Sequence, residues 1–214
     1  MNIFTKNVNK DIKIFMQGGL KFHFRKALEI SSNANGNSLD LGCGPFPMPF
    51  AKYTLDISEK VAPSIVGDVL TLPLKRESFD QVFFLAAFEH IPSGRELDVL
   101  EDIHRILKPG GELILVTHLN RCLFKFTDPA FYLREHHYYS FEEMDGYIKK
   151  AGFKVEVMTS VGGIWNMVSA LWYYLLTYLF KIKLPVFLLK KADKNYDVIS
   201  IKGWNLLVKA VKEE

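Results

Sequence analysis

Two glycines, three acids and four histidines carry the chemistry this sequence offers. Ser38-Leu39-Asp40-Leu41 is an apolar run ending in Gly42-Cys43-Gly44. A run that breaks into Gly-x-Gly lets backbone approach a ligand with no Cβ in the way. Asp56 ends the segment beginning at Tyr53, and Asp68 ends Ser64-Ile65-Val66-Gly67. An ionised carboxylate is purely a hydrogen-bond acceptor, so acids in such places suit a ligand that presents donors. His90 follows the apolar run Phe79–Leu85, and His118 follows Leu113–Val116. A histidine titrates near working pH, which suits proton transfer. His136-His137-Tyr138-Tyr139 adds two more. Adjacent side chains on an extended segment point oppositely, so this pair is not expected to form a metal site.

These residues need strands that end at a common edge. Ser38–Leu41, Tyr53–Ile57, Ser64–Asp68, Phe79–Leu85, Leu113–Val116, Phe153–Met158 and Gly203–Val211 read as seven strands. Phe79–Leu85 is almost continuously apolar, as expected where both faces are covered. Helices are expected over 8–31, from Ser93 or Gly94 to the turn Pro109-Gly110-Gly111, and from the Ser140 N-cap to Lys150. Ser140 and Glu143 have the spacing of a capping box. Pro45, Pro47 and Pro49 crowd the short link between the first two strands, so its crossover is reduced to a turn or one short helix. Alternation of this kind implies a mostly parallel sheet with helices on both faces, and ligands at the carboxyl ends of its strands.

In this order and spacing the motifs resemble those of the class I S-adenosylmethionine (SAM)-dependent methyltransferases, of the type 11-like kind. Leu39-Asp40-Leu41-Gly42-Cys43-Gly44 resembles the donor loop. Gly67-Asp68-Val69 resembles the adenine turn, and Phe88-Glu89-His90-Ile91 follows the fourth strand as in the family. Arg105-Ile106-Leu107-Lys108-Pro109-Gly110-Gly111 resembles the helix-to-fifth-strand turn. The resemblance covers about 35–160 and the last strand. It implies a Rossmann-like α/β fold with seven strands, the last antiparallel, and a hydrophobic helical insertion before that strand. It implies SAM as cofactor, with Asp40, Gly42, Gly44, Asp56, Asp68, Val69, Leu85 and Ala86 around it. His90 and His118 are the candidate bases, and His136, His137 and Tyr138 are expected to line the acceptor pocket. The family's third glycine is Phe46 here, and the first crossover is shortened.

The domain reading is an N-terminal helical lid at 1–34, a methyltransferase domain at 35–160 and 200–214, and a hydrophobic insertion at 161–199. Both ends are basic and the body is acidic: six Lys/Arg against two Asp/Glu in 1–34, 13 against 18 in 35–180, eight against four in 181–214. The net charge of +3 gives no sign of nucleic-acid binding. The two cysteines, Cys43 and Cys122, form no Cys-x-x-Cys pair. The start lacks the long apolar core of a signal peptide, which makes the cytoplasm the expected compartment. Val157–Phe180 contains no charged residue. A single span would strand the last strand across a bilayer, which argues against a transmembrane helix. A lid over the acceptor, peripheral membrane contact through 164–191 at the inner face, and a dimer interface remain open. The expected function is methyl transfer to a small or lipid-linked hydrophobic acceptor. The alternative is a membrane-peripheral interaction protein on the same fold without turnover.

Overall fold

The computed structural model describes residues 22–32, 36–120, 136–172, 180, 182, 185–196 and 203–213. Its strands are β1 (Ser38–Leu41), β2 (Tyr53–Asp56), β3 (Ile65–Val66), β4 (Phe79–Leu85), β5 (Leu107–His118), β6 (Phe153–Val161) and β7 (Asn205–Lys212). Its helices are α1 (residues 22–30), α2 (Glu96–Ile106), α3 (Phe141–Lys150), α4 (Ile164–Trp172) and α5 (Val186–Tyr196). One sheet runs β3-β2-β1-β4-β5-β7-β6. Pairings among β1 to β5 are parallel, and β7 runs antiparallel to both β5 and β6. This is the expected Rossmann-like fold.

Period-two alternation divides the sheet's side chains between two cores. Val82 and Phe84 of β4, Leu113 and Leu115 of β5, and Leu206 and Val208 of β7 pack with α2 and α3. Phe83, Leu85, Ile114, Val116 and Leu207 pack on the other face with Phe22 and Ala27 of α1 and Ala192 and Tyr196 of α5. With both faces covered, β4 has no need to alternate apolar with polar residues. The link from β1 to β2 contains no helix, in keeping with its three prolines.

Several boundaries differ from expectation. α2 begins at Glu96, not at Ser93 or Gly94. Gly94 has φ +86° and donates its N–H to Glu96 Oε2 at 2.7 Å, so the acid folds back on the turn before the helix. β5 begins at Leu107, with no separate turn before it. Phe79 pairs with Leu107 and Gln81 with Glu112, so the four residues Lys108–Gly111 stand opposite Asp80 alone and bulge from the ladder. β3 keeps only Ile65–Val66, because Asp68 caps a turn instead: its Oδ1 accepts from Leu70 N–H at 2.9 Å. β6 continues past Met158 to Val161 because β7 offers it pairing partners as far as Asn205. β2 stops at Asp56, and β7 spans Asn205–Lys212 in place of 203–211. The capping box on α3 forms: Glu143 N–H donates to Ser140 Oγ at 3.1 Å, and Ser140 N–H to Glu143 Oε2 at 2.7 Å. The expected helix before residue 22 and most of the aromatic loop after Asn120 lie outside the described residues, as does Cys122.

α4 and α5 pack together through polar contacts. Asn166 Nδ2 donates to Ala192 O at 3.1 Å, and Ser169 Oγ to Leu188 O at 3.4 Å. Among the described residues, no helix is long and apolar enough to cross a membrane.

Candidate functional site

At the end of β1 the chain turns through two glycines in left-handed conformations, Gly42 at φ +68° and Gly44 at φ +56°. Only glycine adopts this without strain. The N–H groups of Gly42 and Cys43 both donate to Leu55 O, at 2.8 and 3.1 Å. Gly44 N–H donates to Asp56 Oδ2 and Ser58 N–H to Asp56 Oδ1, each at 2.9 Å. Asp56 therefore braces the loop across the strand ends and stays half-buried. Each of its oxygens retains a further lone pair.

Asp40 is almost fully buried, at 3% exposure, and accepts from Met48 N–H at 2.7 Å. It ties down the proline-rich link that lacks a helix. Burial raises its pKa to about 6, opposed in part by the Met48 hydrogen bond and reinforced by Asp56 nearby. Burial, with Asp40 and Asp56 adding to it, pushes the Cys43 thiol up to about 12, so this cysteine is an inert filler. Asp68 and Val69 stand on the turn after β3, Asp68 spending one oxygen on that turn.

β4 ends in a strained step. Ala86 has φ +53° and donates its N–H to Val116 O at 2.8 Å. The next residue, Ala87, lies against the glycine turn: a Cβ on Gly42 would stand 2.8 Å from Ala87 Cβ. Ala87 precedes the 3-10 turn Phe88–His90, which carries Glu89 and His90. The short stretch that carries this acid-histidine pair therefore also lies against the glycine turn.

Glu89 is buried at 2% exposure. Its Oε2 accepts from Thr117 Oγ1 at 3.0 Å, and its Oε1 lies 3.6 Å from His118 Nε2. Burial alone would raise the pKa of this carboxyl. His118, His90 and His136 outweigh that effect and hold it below the usual carboxylate range. The His90 and His136 rings meet edge to face with centroids 4.4 Å apart, and those of His136 and His118 are 5.6 Å apart. Tyr138 stacks on His118 at 5.4 Å. His118 Nδ1 lies 3.2 Å from Asn205 Oδ1 on β7. His23 of α1 hydrogen-bonds through Nδ1 to the Tyr196 hydroxyl of α5, and burial lowers its pKa to about 4.

The expected histidines thus separate. His90, His118 and His136 gather around Glu89. His137 turns away to within 3.4 Å of Ser93 Oγ while its N–H donates to Glu89 O. Among the described residues no group of three or more His, Cys, Asp or Glu side chains is arranged to hold a metal. Sequence reasoning missed Glu89, His23, Tyr196 and Asn205 as site residues. Only Glu89 carried a local signal, its place between Phe88 and His90.

A family model described as a methyltransferase domain matches residues 39–115. An uncharacterized protein of Methanocaldococcus jannaschii is 30% identical over 197 residues, covering 82% of this chain and 78% of that protein. The chain belongs to the class I SAM-dependent methyltransferases. This methyltransferase is also 33% identical to a sterol 24-C-methyltransferase of Pneumocystis carinii over 88 residues, 40% of this chain and 22% of that enzyme. Its fold matches a SAM-dependent methyltransferase of Thermotoga maritima, described as a possible histamine N-methyltransferase. The TM-score is 0.66 at 20% identity, covering 99% of each chain. The methyltransferase takes SAM as its cofactor, and the glycine turn and acids at the ends of β1, β2 and β3 occupy the sheet edge where α/β folds bind ligands.

Proposed function

We propose that this methyltransferase transfers the methyl group of SAM to a small or lipid-linked hydrophobic acceptor held over the histidine cluster. The observation that carries the reading is the contact of Ala87 with Gly42, which sets the glycine turn against the chain segment bearing Glu89 and His90. The residues fit SAM. Gly44 has open space where a Cβ would stand, so backbone lies bare there. Asp56 keeps lone pairs for the ribose hydroxyls. Asp40 would face the methionyl amino group, and Asp68 and Val69 the adenine. Leu85 and Ala86 close the floor of the site. SAM supplies a methyl group activated on a sulfonium. Displacement at that methyl disperses charge, so the protein contributes mainly alignment and exclusion of water.

The hydrophobic acceptor is supported by the far side of the site. α1 and α5 meet through His23 and Tyr196 over one face of the sheet. Beyond them Ile164, Phe180, Ile182 and Phe187 are exposed, at 62, 67, 48 and 57%. Lys190 and Lys194 stand exposed on α5, and Lys191 Nζ sits 4.1 Å over the Trp165 ring. Apolar side chains set among lysines suit contact with an anionic lipid surface, which would deliver a lipid-linked acceptor. A sterol is the acceptor of one relative by its name.

The test incubates the enzyme and SAM labelled in its methyl group with a whole lysate of the producing cells and then extracts with chloroform–methanol. Label in the organic phase supports the reading, and label only in protein or RNA refutes it. Independently, SAM must raise the Tm of the purified protein. A flat melting curve at SAM well above micromolar would remove the donor assignment itself.

A further inference from the structure

We propose that His118 is the proton acceptor of the reaction, held in that role by Glu89 and Asn205, and that the acceptor atom therefore loses a proton when it is methylated. The inference rests on the methyltransferase reading above and names the class of acceptor: an alcohol, a phenol or an acidic carbon, and not a neutral amine, which needs no base to attack.

The geometry singles out one of the three clustered histidines. His118 ends β5, and its ring is held between two segments. Tyr138 stacks on it from the segment beside β5, the Trp204 ring lies 6.2 Å away, and Asn205 meets Nδ1 from β7. A ring so held keeps one orientation. The Asn205 contact at 3.2 Å is to Oδ1, an acceptor, so Nδ1 carries the hydrogen and donates it. Nε2 is then the basic nitrogen. Its charged neighbour, Glu89 Oε1, is 3.6 Å off, longer than a hydrogen bond. An ionised carboxylate has no hydrogen to give that lone pair, and a proton arriving at Nε2 lands beside its negative charge.

Glu89 has the features of a counter-ion. It is buried, anchored by Thr117 Oγ1, and held ionised by the histidines around it. A buried charge is maintained only where something needs it. The groups facing it are Thr117 and His118 from β5, His90 from its own turn, and His136 and Tyr139 from the neighbouring segment, with His23 of α1 further off. His90 is exposed at the rim, which suits contact with the acceptor more than proton storage.

The step balances. An oxygen or carbon of the acceptor forms a bond to the methyl carbon as the carbon–sulfur bond breaks, its electron pair staying on sulfur. The acceptor's proton passes to His118 Nε2, giving an imidazolium paired with Glu89. Release of that proton to solvent resets the site.

Two measurements on the protein alone decide the assignment. In protein labelled with nitrogen-15 in histidine, the ring lost in His118→Gln should show the Nδ1–H tautomer when neutral, and Asn205→Ala should scramble it. In protein labelled with carbon-13 in glutamate, Glu89 should titrate below the ordinary range, and His118→Gln should raise its midpoint by about one unit. An Nε2–H tautomer, or a Glu89 midpoint indifferent to His118, overturns the proposal. A third measurement tests the acceptor class with 4-octylphenol and 4-octylaniline as probes. Methylation of the phenol, reduced about 100-fold in kcat by Glu89→Gln with KM for SAM unchanged, supports it. Methylation of the aniline alone refutes it. If neither probe fits the pocket, the two NMR measurements decide. SAM-induced stabilisation retained in Glu89→Gln separates failure here from failure of the methyltransferase reading.

Discussion

Asp40 offers the sharpest test of how this donor loop is built, because its effect has a sign and a pH window. Its folded pKa of about 6 stands above the ordinary 3.8, a rise of about two units. At 1.36 kcal/mol per unit, the ionised form costs about 3 kcal/mol in the folded state. Below pH 4 both folded and unfolded chains hold the proton and the cost is absent. Between about pH 4 and 6 the unfolded chain releases its proton first, so stability falls as pH rises, and above about pH 6 the whole cost is present. Asp40→Asn removes the charge and keeps an oxygen to accept Met48 N–H. Its amide hydrogens need partners of their own, which offsets about 1 kcal/mol. The net gain at pH 7.5 is about 2 kcal/mol, a Tm rise of roughly 4–8 °C in a chain of this size.

Calorimetry at two pH values checks the cause. At pH 4.5 only about a third of the ionisation cost has developed, so the variant should melt with the wild type there. A gain of the same size at both pH values, or a loss at pH 7.5, would show that the buried charge is not what strains the loop. The same variant should bind SAM more weakly if Asp40 meets the methionyl amino group. A stabilised protein with reduced donor affinity is the expected signature of strain kept for function.

Asp56→Ala should weaken SAM binding by about 1–3 kcal/mol, the range for a hydrogen bond to a charged group, and isothermal titration at unchanged affinity would refute the ribose assignment. Gly42→Ala should cost more than Gly44→Ala. Both impose left-handed strain of about 1–2 kcal/mol, but only the first drives a Cβ to 2.8 Å from Ala87, so unfolding in urea should rank them in that order. Gly44→Ala should instead show itself as at least a tenfold rise in the Kd for SAM. Lys209→Met should destabilise the protein by about 3–5 kcal/mol. It strips Glu112, 3.1 Å away and buried, and Glu156, 2.9 Å away, of their shared cation.

Local chemistry in the sequence fixes much of this fold. Ser140 and Glu143 start a helix, and the two bonds of their capping box form as the spacing requires. Pro45, Pro47 and Pro49 remove the donors a crossover helix needs, and no helix forms. Two of the misplaced boundaries come from carboxylates that fold back on their own turns, and a third from strand register. Glu96 folds back on Gly94 and delays α2. The surplus of three residues on β5, where Lys108–Gly111 stand opposite Asp80, can be counted only once the register is known. Asp68 reads as a strand end until its carboxylate is seen capping Leu70.

The donor side was legible because its residues are close in sequence: Asp40, Gly42, Gly44 and Asp56 fall within 17 positions and answer to one another across two adjacent strands. On the acceptor side the sequence singles out His90, His118, His136 and Tyr138 but not the partners that hold them, which are far apart in the chain. His118 meets Asn205 across 87 residues, and His23 meets Tyr196 across 173. Only Glu89 bridges the two scales. It follows Ala87, which touches the glycine turn, and its carboxylate faces histidines supplied by β5 and by the segment beside it. It is Ala87 that touches the donor turn, while the Glu89 carboxylate meets only the acceptor side. Glu89→Gln should thus alter methyl transfer far more than SAM binding, whereas Gly42→Ala, acting through Ala87, should alter both.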